Sequence, residues 1–400
     1  MQAKTPMKWR CALRGAGLLS SLALAACSPG ERLPAVPAAL VDQAEVAGMP
    51  GVRINADLSG LQQELQAAIQ GEREALAAAG HTGPLPPANY LGLSGGGDNG
   101  AFGAGLLNGW TASGTRPEFK LVTGISTGAL IAPFAFLGPK YDGTLKAIYT
   151  GISSKDIMEK RSMLAAVFDD AMVDNAPLWS LTRKSVDENL MHAIAAEYAK
   201  GRFLLIGTTN LDAMRGTIWN IGKIAASGQP KALNLIQQIL IASAAIPGAF
   251  PPVLIDVEAG GKKYQEMHVD GGTTAQVFVY PAAYHLKEAG SALGVERERR
   301  MYIIRNARLD PDWAQVERRT LSIAGRSISS LIQTQGRGDL FRIHSLAMRD
   351  EVDFNLAYIP ETFNAPHPED FDTGYMKALF QLGYDMAAKG YPWSKSPPGY

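Results

Sequence analysis

Two cysteines in 400 residues, Cys11 and Cys27, leave no pair for a disulfide beyond the N-terminal segment and no Cys/His set for a metal. The 38 basic and 38 acidic side chains cancel, and the scattered Lys and Arg residues draw no electrostatic footprint for nucleic acid. The one tight charged cluster, Glu296 to Arg300, mixes signs and reads as a solvated turn. No acidic loop has the spacing of an EF-hand, so calcium is not expected, and no cofactor is called for. Histidine is scarce: His81, His192, His268, His285, His344 and His367 are all there are, and none sits in a glycine-flanked loop of its own. What remains is a globular balance, 46% hydrophobic and 19% charged, in a chain long enough to bury a large core.

The first residues read as an address. Lys4, Lys8, Arg10 and Arg14 precede an uncharged, mostly apolar run over 15–26 that is too short to span a membrane. It closes on Leu24-Ala25-Ala26-Cys27, so 1–26 has the pattern of a secretory signal peptide. Leu-Ala-Ala-Cys also resembles the lipobox of bacterial lipoproteins. That resemblance implies cleavage before Cys27, lipidation of Cys27, and, with Ser28 next, sorting to the outer membrane. The expectation is a lipid-anchored protein of a bacterial cell envelope; the alternative is plain secretion to the periplasm or beyond. Pro29, Pro34, Pro37 and Pro50 make 27–57 an extended tether without a packed core. Leu58, Leu61, Leu65, Ile69 and Leu76 recur at helical spacing, so a helix over 58–79 opens the connecting region 58–86.

From 87 to 390 no stretch is rich enough in Pro, Gly or Ser to be a linker and no repeat is visible, so one domain is expected. Apolar strands over 89–94, 119–123, 203–209, 264–269 and 301–306 alternate with helical segments over 101–111, 129–137, 186–200 and 232–245. The pattern predicts the α/β class, with a mainly parallel central sheet and helices on both faces. A paired strand over 217–221, helical stretches over 312–349, a strand over 354–359 and a helix over 374–389 complete the reading, and 155–184 is an irregular loop or cap.

The stretch from Asn89 to Phe136 carries two glycine motifs. Gly124-Ile125-Ser126-Thr127-Gly128 follows a strand and opens an apolar helix, where a tight turn with unhindered neighbours exposes a serine oxygen near a helix N-terminus. Gly95-Gly96-Gly97-Asp98-Asn99-Gly100 also joins a strand to a helix. It reads as a plain tight loop, as a dinucleotide site, or as an oxyanion hole of backbone N–H groups. The dinucleotide reading wants an acidic residue at the end of the next strand, but Thr123-Gly124 stand there, which favours the oxyanion hole. A serine needs a base, and Asp270, at a strand end before Gly271 and Gly272, is a better candidate than His268 two residues earlier; an ordinary Asp-Gly turn is the competing reading.

Taken together these residues resemble the patatin-like phospholipase family. Its ordered pattern of Gly-x-Gly-x-x-Gly, Gly-x-Ser-x-Gly and Asp-Gly-Gly matches Gly95–Gly100, Gly124–Gly128 and Asp270–Gly272, and the stretch from Ala242 to Pro252 is similar to its segment before the aspartate. The likeness covers roughly 90–274. It implies a three-layer fold and a Ser–Asp dyad in which Ser126 attacks an acyl ester and Asp270 takes its proton. It further implies that Gly95, Gly96 and Gly97 hold the oxyanion, and that phospholipid or another acyl ester is the substrate. Ser94 stands where plant members often have aspartate, with no expected effect on catalysis. An aspartate with a solution pKa of ~3.9 is a feeble base, so Asp270 is expected to be desolvated. The rival readings are an α/β-hydrolase esterase with a Ser-His-Asp triad, an inactive lipid-anchored envelope protein, and a nicotinamide enzyme using the glycine loop.

Overall fold

The structure, a computed structural model, describes residues 32–54, 61–160, 171–311 and 313–399. The expected signal peptide, Cys27 and the middle of 155–184 lie outside them. Strand β1 (Arg53–Ile54) precedes helix α1 (Leu61–Ala78). Then come β2 (Ala88–Leu93), α2 (Gly100–Ala112), β3 (Leu121–Gly124), α3 (Thr127–Leu137) and α4 (Asp142–Gly151). A short ribbon, β4 (Glu159–Lys160) with β5 (Val173–Asp174), leads to α5 (Ala176–Ser185) and α6 (Glu188–Ala199). The middle of the chain gives β6 (Phe203–Asn210), β7 (Arg215–Asn220), α7 (Ile221–Ala225), α8 (Ala232–Ser243), β8 (Val253–Ala259) and β9 (Lys262–Asp270). The last part is α9 (Leu286–Ala292), β10 (Arg299–Arg305), α10 (Thr320–Arg349), β11 (Asp353–Tyr358) and α11 (Thr373–Ala388).

The main sheet runs β1-β7-β6-β3-β2-β10-β11. From β6 to β11 every neighbour is parallel, and these strands are buried on both faces, as β2 and β6 show by their nearly unbroken burial. One face carries α2, α3, α8 and α11 over a core that includes Phe102, Leu106, Ile131, Phe136, Ile236 and Leu379. The small residues of α2 let α11 lie directly against it: a Cβ on Gly105 would come within 2.0 Å of the Phe380 carbonyl oxygen, and one on Gly109 within 2.2 Å of that of Tyr384. The other face carries the segment around Val277–Val279 and the C-terminal half of α10, with Tyr90, Ile303, Leu340 and Ile343 buried between. The expected α/β class, largely parallel centre and helices on both faces are what the structure has.

Beyond β6 the sheet turns antiparallel, through β7 on one edge of β6 and through β9, which enters as the second arm of the β8–β9 hairpin. β7 pairs along one edge of β6 from Leu205 to Asn210. The opposite edge is shared: β3 pairs with it up to Gly124 opposite Ile206, and β9 comes down the same edge to end with Asp270 opposite Thr208. Two strands running in opposite directions therefore finish head to head.

The tether expected over 27–57 is not one where the structure describes it. Residues 32–54 pack on the body: Val36, Ala44, Val46, Met49 and Val52 are buried, and β1 adds to β7. The prolines made this segment look extended, yet apolar residues between them cover the antiparallel flank. Arg53 pins it, donating to the Ala44 carbonyl at 2.9 Å and lying 3.3 Å from the fully buried Glu266 carboxylate. Within 155–184 the described parts are the β4–β5 ribbon and α5, more regular than a loop. No helix among the described residues is long and apolar enough to cross a membrane.

Replacing Arg53 by Met leaves Glu266 buried without its cation, which should cost about 3 kcal/mol of folding stability. Urea unfolding followed by fluorescence measures this. An unchanged midpoint would show that the pair does not hold residues 32–54.

Candidate functional site

Ser126 is the hinge between β3 and α3, with φ 54° and ψ −125°. A non-glycine residue held there stores roughly 1–3 kcal/mol of backbone strain, which the surrounding packing must hold. Its neighbours need to be glycine for lack of room: a Cβ on Gly124 would lie 2.5 Å from the Gly128 carbonyl oxygen, and one on Gly128 would lie 2.3 Å from that of Leu93. Ser243, at the end of α8, clamps the turn from below. Its hydroxyl accepts from the Ser126 amide at 3.0 Å and donates to the Gly207 carbonyl at 2.7 Å.

Asp270 faces Ser126 across the gap where β3 and β9 meet. The Ser126 hydroxyl is close enough to Asp270 to lower its pKa, and Asp270 Oδ1 accepts from the Gly272 amide at 2.7 Å. Both residues are buried. Burial pushes the Asp270 carboxyl up to about 7, with the Ser126 hydroxyl and the Gly272 amide pulling the other way. Gly271 lets the turn pass under Gly207, whose carbonyl oxygen would be 2.5 Å from an added Cβ.

The Gly95–Gly100 loop lies beside both. Gly95 comes within 3.2 Å of Ser126 Cβ, measured from where its own Cβ would be, and Gly100 packs in the same way on the Thr127 hydroxyl. The N-termini of α2 and α3 thus converge, and both dipoles favour negative charge between them. The expected donor Gly95 is not open: its amide already donates to the Gln276 carbonyl at 3.0 Å. The amides of Gly96, Gly97 and Thr127 have no acceptor among the described residues. Ser94 Oγ and Arg305 Nη1 both donate to the Gly95 carbonyl, at 2.7 and 3.3 Å. Because the peptide is planar and trans, this turns the Gly96 N–H the opposite way. The Gly96 carbonyl likewise accepts from Asn99, which turns out the N–H of Gly97, a residue with φ 60° and open space around its Cα.

Several of these supports were not singled out from the sequence. Ser94, which was expected to be without effect, also accepts from the Asn306 amide at 2.8 Å, and Asn306 Oδ1 accepts from Gly103 at 3.1 Å. Gln276 ties the glycine loop to the aspartate turn, since its side chain donates to the Gly272 carbonyl at 2.8 Å. The C-terminal region reaches the loop as well: His367 hydrogen-bonds Asp98 at 2.7 Å and Tyr375 donates to Asn99 at 2.6 Å. Asn306, His367 and Tyr375 come from more than 200 residues away in the chain, and no local pattern marks them.

Five of the six histidines have partners of their own. His268 is buried, bonded to Thr208 at 2.9 Å and Glu266 at 3.1 Å and edge-on to Trp219, and burial lowers its pKa below the usual imidazole value. His367 braces Asp98, His285 pairs with Glu288, His81 meets the Pro84 carbonyl, and His344 stacks edge-on to Phe354.

Residues 91–283 match the family model of the patatin-like phospholipases. Over that stretch the chain is similar to the patatin-like phospholipases. Among solved structures, VipD from Legionella pneumophila is similar at 12% identity with a TM-score of 0.37; the alignment covers 76% of this chain and 66% of that one, just under two thirds of its length. No curated protein matches the chain.

The raised pKa of Asp270 has a consequence for stability. Below about pH 4 the carboxyl is protonated in both the folded and unfolded states. Between about 4 and 7 the unfolded chain releases its proton while the folded one keeps it, so stability falls as pH rises and the full cost stands above about 7. Asp270→Asn should therefore be more stable than the parent at pH 8, by roughly 3–4 kcal/mol, and near it at pH 4. Denaturant titrations at the two pH values measure the difference, and a variant equally or less stable at pH 8 would contradict it.

Proposed function

We propose that the chain hydrolyses carboxylic esters of lipids, in the manner of a phospholipase A or lysophospholipase, through a dyad of Ser126 and Asp270. The observation that carries this reading is that the ends of β3 and β9 bring the Ser126 hydroxyl beside a buried carboxyl, which burial pushes up to about 7. A base poised near the working pH combines a useful ionised fraction with real proton affinity. Asp270 takes the proton as Ser126 Oγ attacks the ester carbonyl. The oxyanion forms in front of the Gly96, Gly97 and Thr127 amides, each worth roughly 3 kcal/mol to the transition state. Asp270 then gives the proton to the departing alkoxide, leaving an acyl-enzyme. Water enters, Asp270 takes one of its protons, and the returning proton regenerates Ser126 as the fatty acid leaves.

An apolar cleft lined by Ile125, Ile218, Phe278, Val279, Ile343 and Leu346 adjoins the dyad through Ile125 and Gly271, and takes the acyl chain. The triad reading has less support, since each histidine with a described partner is bonded or stacked away from Ser126. For the N-terminus, the reading remains a signal peptide over 1–26 and a lipidated Cys27 in a bacterial cell envelope, which rests on sequence and is tested by the mass of the mature N-terminal peptide.

Ser126→Ala should abolish labelling by a fluorophosphonate probe and lower kcat on a p-nitrophenyl ester at least 10³-fold; Asp270→Asn should lower it about 10²–10⁴-fold. In the parent enzyme kcat/KM should rise about tenfold per pH unit below 7 and level off above it. Labelling of Ser126→Ala, or a profile level down to pH 5, would sink the dyad.

A further inference from the structure

Helix α10 changes character along its length. From Gly336 to Arg349 it lies on the sheet, with Leu340, Ile343 and Ala347 buried and Asp339 accepting from the Gln276 amide at 2.6 Å. Since β11 follows it and runs parallel to β10, α10 points against the strands, and its N-terminal half extends past their C-terminal ends. Gln333 marks the crossing point, donating to the Arg308 and Asp310 carbonyls just after β10. The preceding residues, 320 to 332, make about 20 Å of helix beyond the edge that holds Ser126 and Asp270. None of the described side chains there is buried.

This overhang exposes large apolar side chains. Ile323 is 51% exposed, Ile328 52% and Leu331 69%, and Trp313 in the preceding segment is 86% exposed. At about 100° per residue Ile323, Ile328, Leu331 and Ile332 fall within one half of the helix. Arg326 lies on the other half; Arg319, paired with Glu317 at 3.3 Å, stands just before the helix, and Arg337 follows the crossing point. No acidic residue occurs between Arg318 and Gly338. The hydroxyls of Ser327, Ser329 and Ser330 each donate back to the carbonyl four residues earlier, so they ask nothing of the surroundings. Ile246, beside the residue whose carbonyl accepts from Asp270, and Met214, in the turn after β6, add exposed apolar groups along the same edge.

We propose that this overhang is a docking surface for an anionic lipid bilayer, which seats the catalytic edge on the substrate-bearing interface. An amphipathic helix with an apolar half, one arginine as its only charge and internally satisfied hydroxyls suits the boundary between headgroups and acyl chains. Its place at the edge of a site that takes lipid esters selects a bilayer over a protein partner. The inference rests on the lipid hydrolase reading, and its test separates the two.

Ile328→Asp/Leu331→Asp is compared with the parent, both as the full chain carrying Cys27→Ser so that no lipid at residue 27 contributes. Sedimentation with phosphatidylglycerol vesicles should show at least tenfold weaker binding of the double variant, with hydrolysis of vesicle lipid falling in step. Hydrolysis of soluble p-nitrophenyl butyrate should stay within twofold of the parent, since both side chains are exposed and away from the dyad. Equal vesicle binding by the two proteins would overturn the docking surface, as would a parent that ignores vesicles. A parent dimer that the substitutions dissociate without loss of vesicle binding would instead make the overhang a contact between copies. Failure of the dyad would show separately, as butyrate hydrolysis that survives Ser126→Ala.

Discussion

Everything at the site follows from two strands sharing one edge of β6. β3 occupies that edge as far as Ile206 and stops; β9 arrives from the opposite direction and stops at Thr208. The interval between them is short, so whatever the two strand ends carry must meet. Ser126 comes from the first and Asp270 from the second. The space is also tight enough to dictate glycine at 124, 128 and 271, where a methyl group would overlap a neighbouring carbonyl oxygen. The recurrence of glycine in two distant motifs thus has a single cause, the meeting of backbones at one place.

That meeting sets the chemistry of the aspartate. A strand end facing solvent would leave a carboxylate hydrated and weakly basic. Here the opposing strand end, the Ser126 elbow and the Gly271–Gly272 turn close over Asp270, and its charge loses most of its water. The loss of stability at neutral pH and the gain in basicity are one effect seen from two sides. A histidine would not need such treatment, and the buried histidine nearest in sequence, His268, is spent on holding Thr208 and Glu266 in the flank of the sheet.

The strand–loop–helix order of Ala88–Leu137 could be read from sequence because apolar periodicity and glycine punctuation are local. So were Ser126 and Asp270 as candidates, since strand ends next to glycines stand out. The direction of β9 was not legible, because a buried strand reads alike whether its neighbours are parallel or antiparallel. The packing of residues 32–54 was hidden by prolines, which set local backbone angles and say nothing of contacts. The commitment of the Gly95 amide to Gln276, and the hold of Ser94 on the Gly95 carbonyl, depend on the orientation of single peptide planes. Asn306, His367 and Tyr375 were out of reach for another reason: each acts on the glycine loop from the far end of the chain.

The C-terminal region therefore belongs to the site even though the family match ends at residue 283. β10 and the residue after it place Arg305 and Asn306 behind the glycine loop, the segment before α11 holds Asp98 through His367, and α11 itself holds Asn99 through Tyr375. α10 contributes along its length: Asp339 fixes Gln276, which joins the glycine loop to the aspartate turn, and the overhang projects past the same edge. One continuous helix thus ties the apolar surface to the residue that sets the spacing between loop and aspartate. A docking surface on a separate flexible loop would leave the height of the dyad above a bilayer undefined. Built on the rigid extension of α10, that height is set by the register of the helix on the sheet.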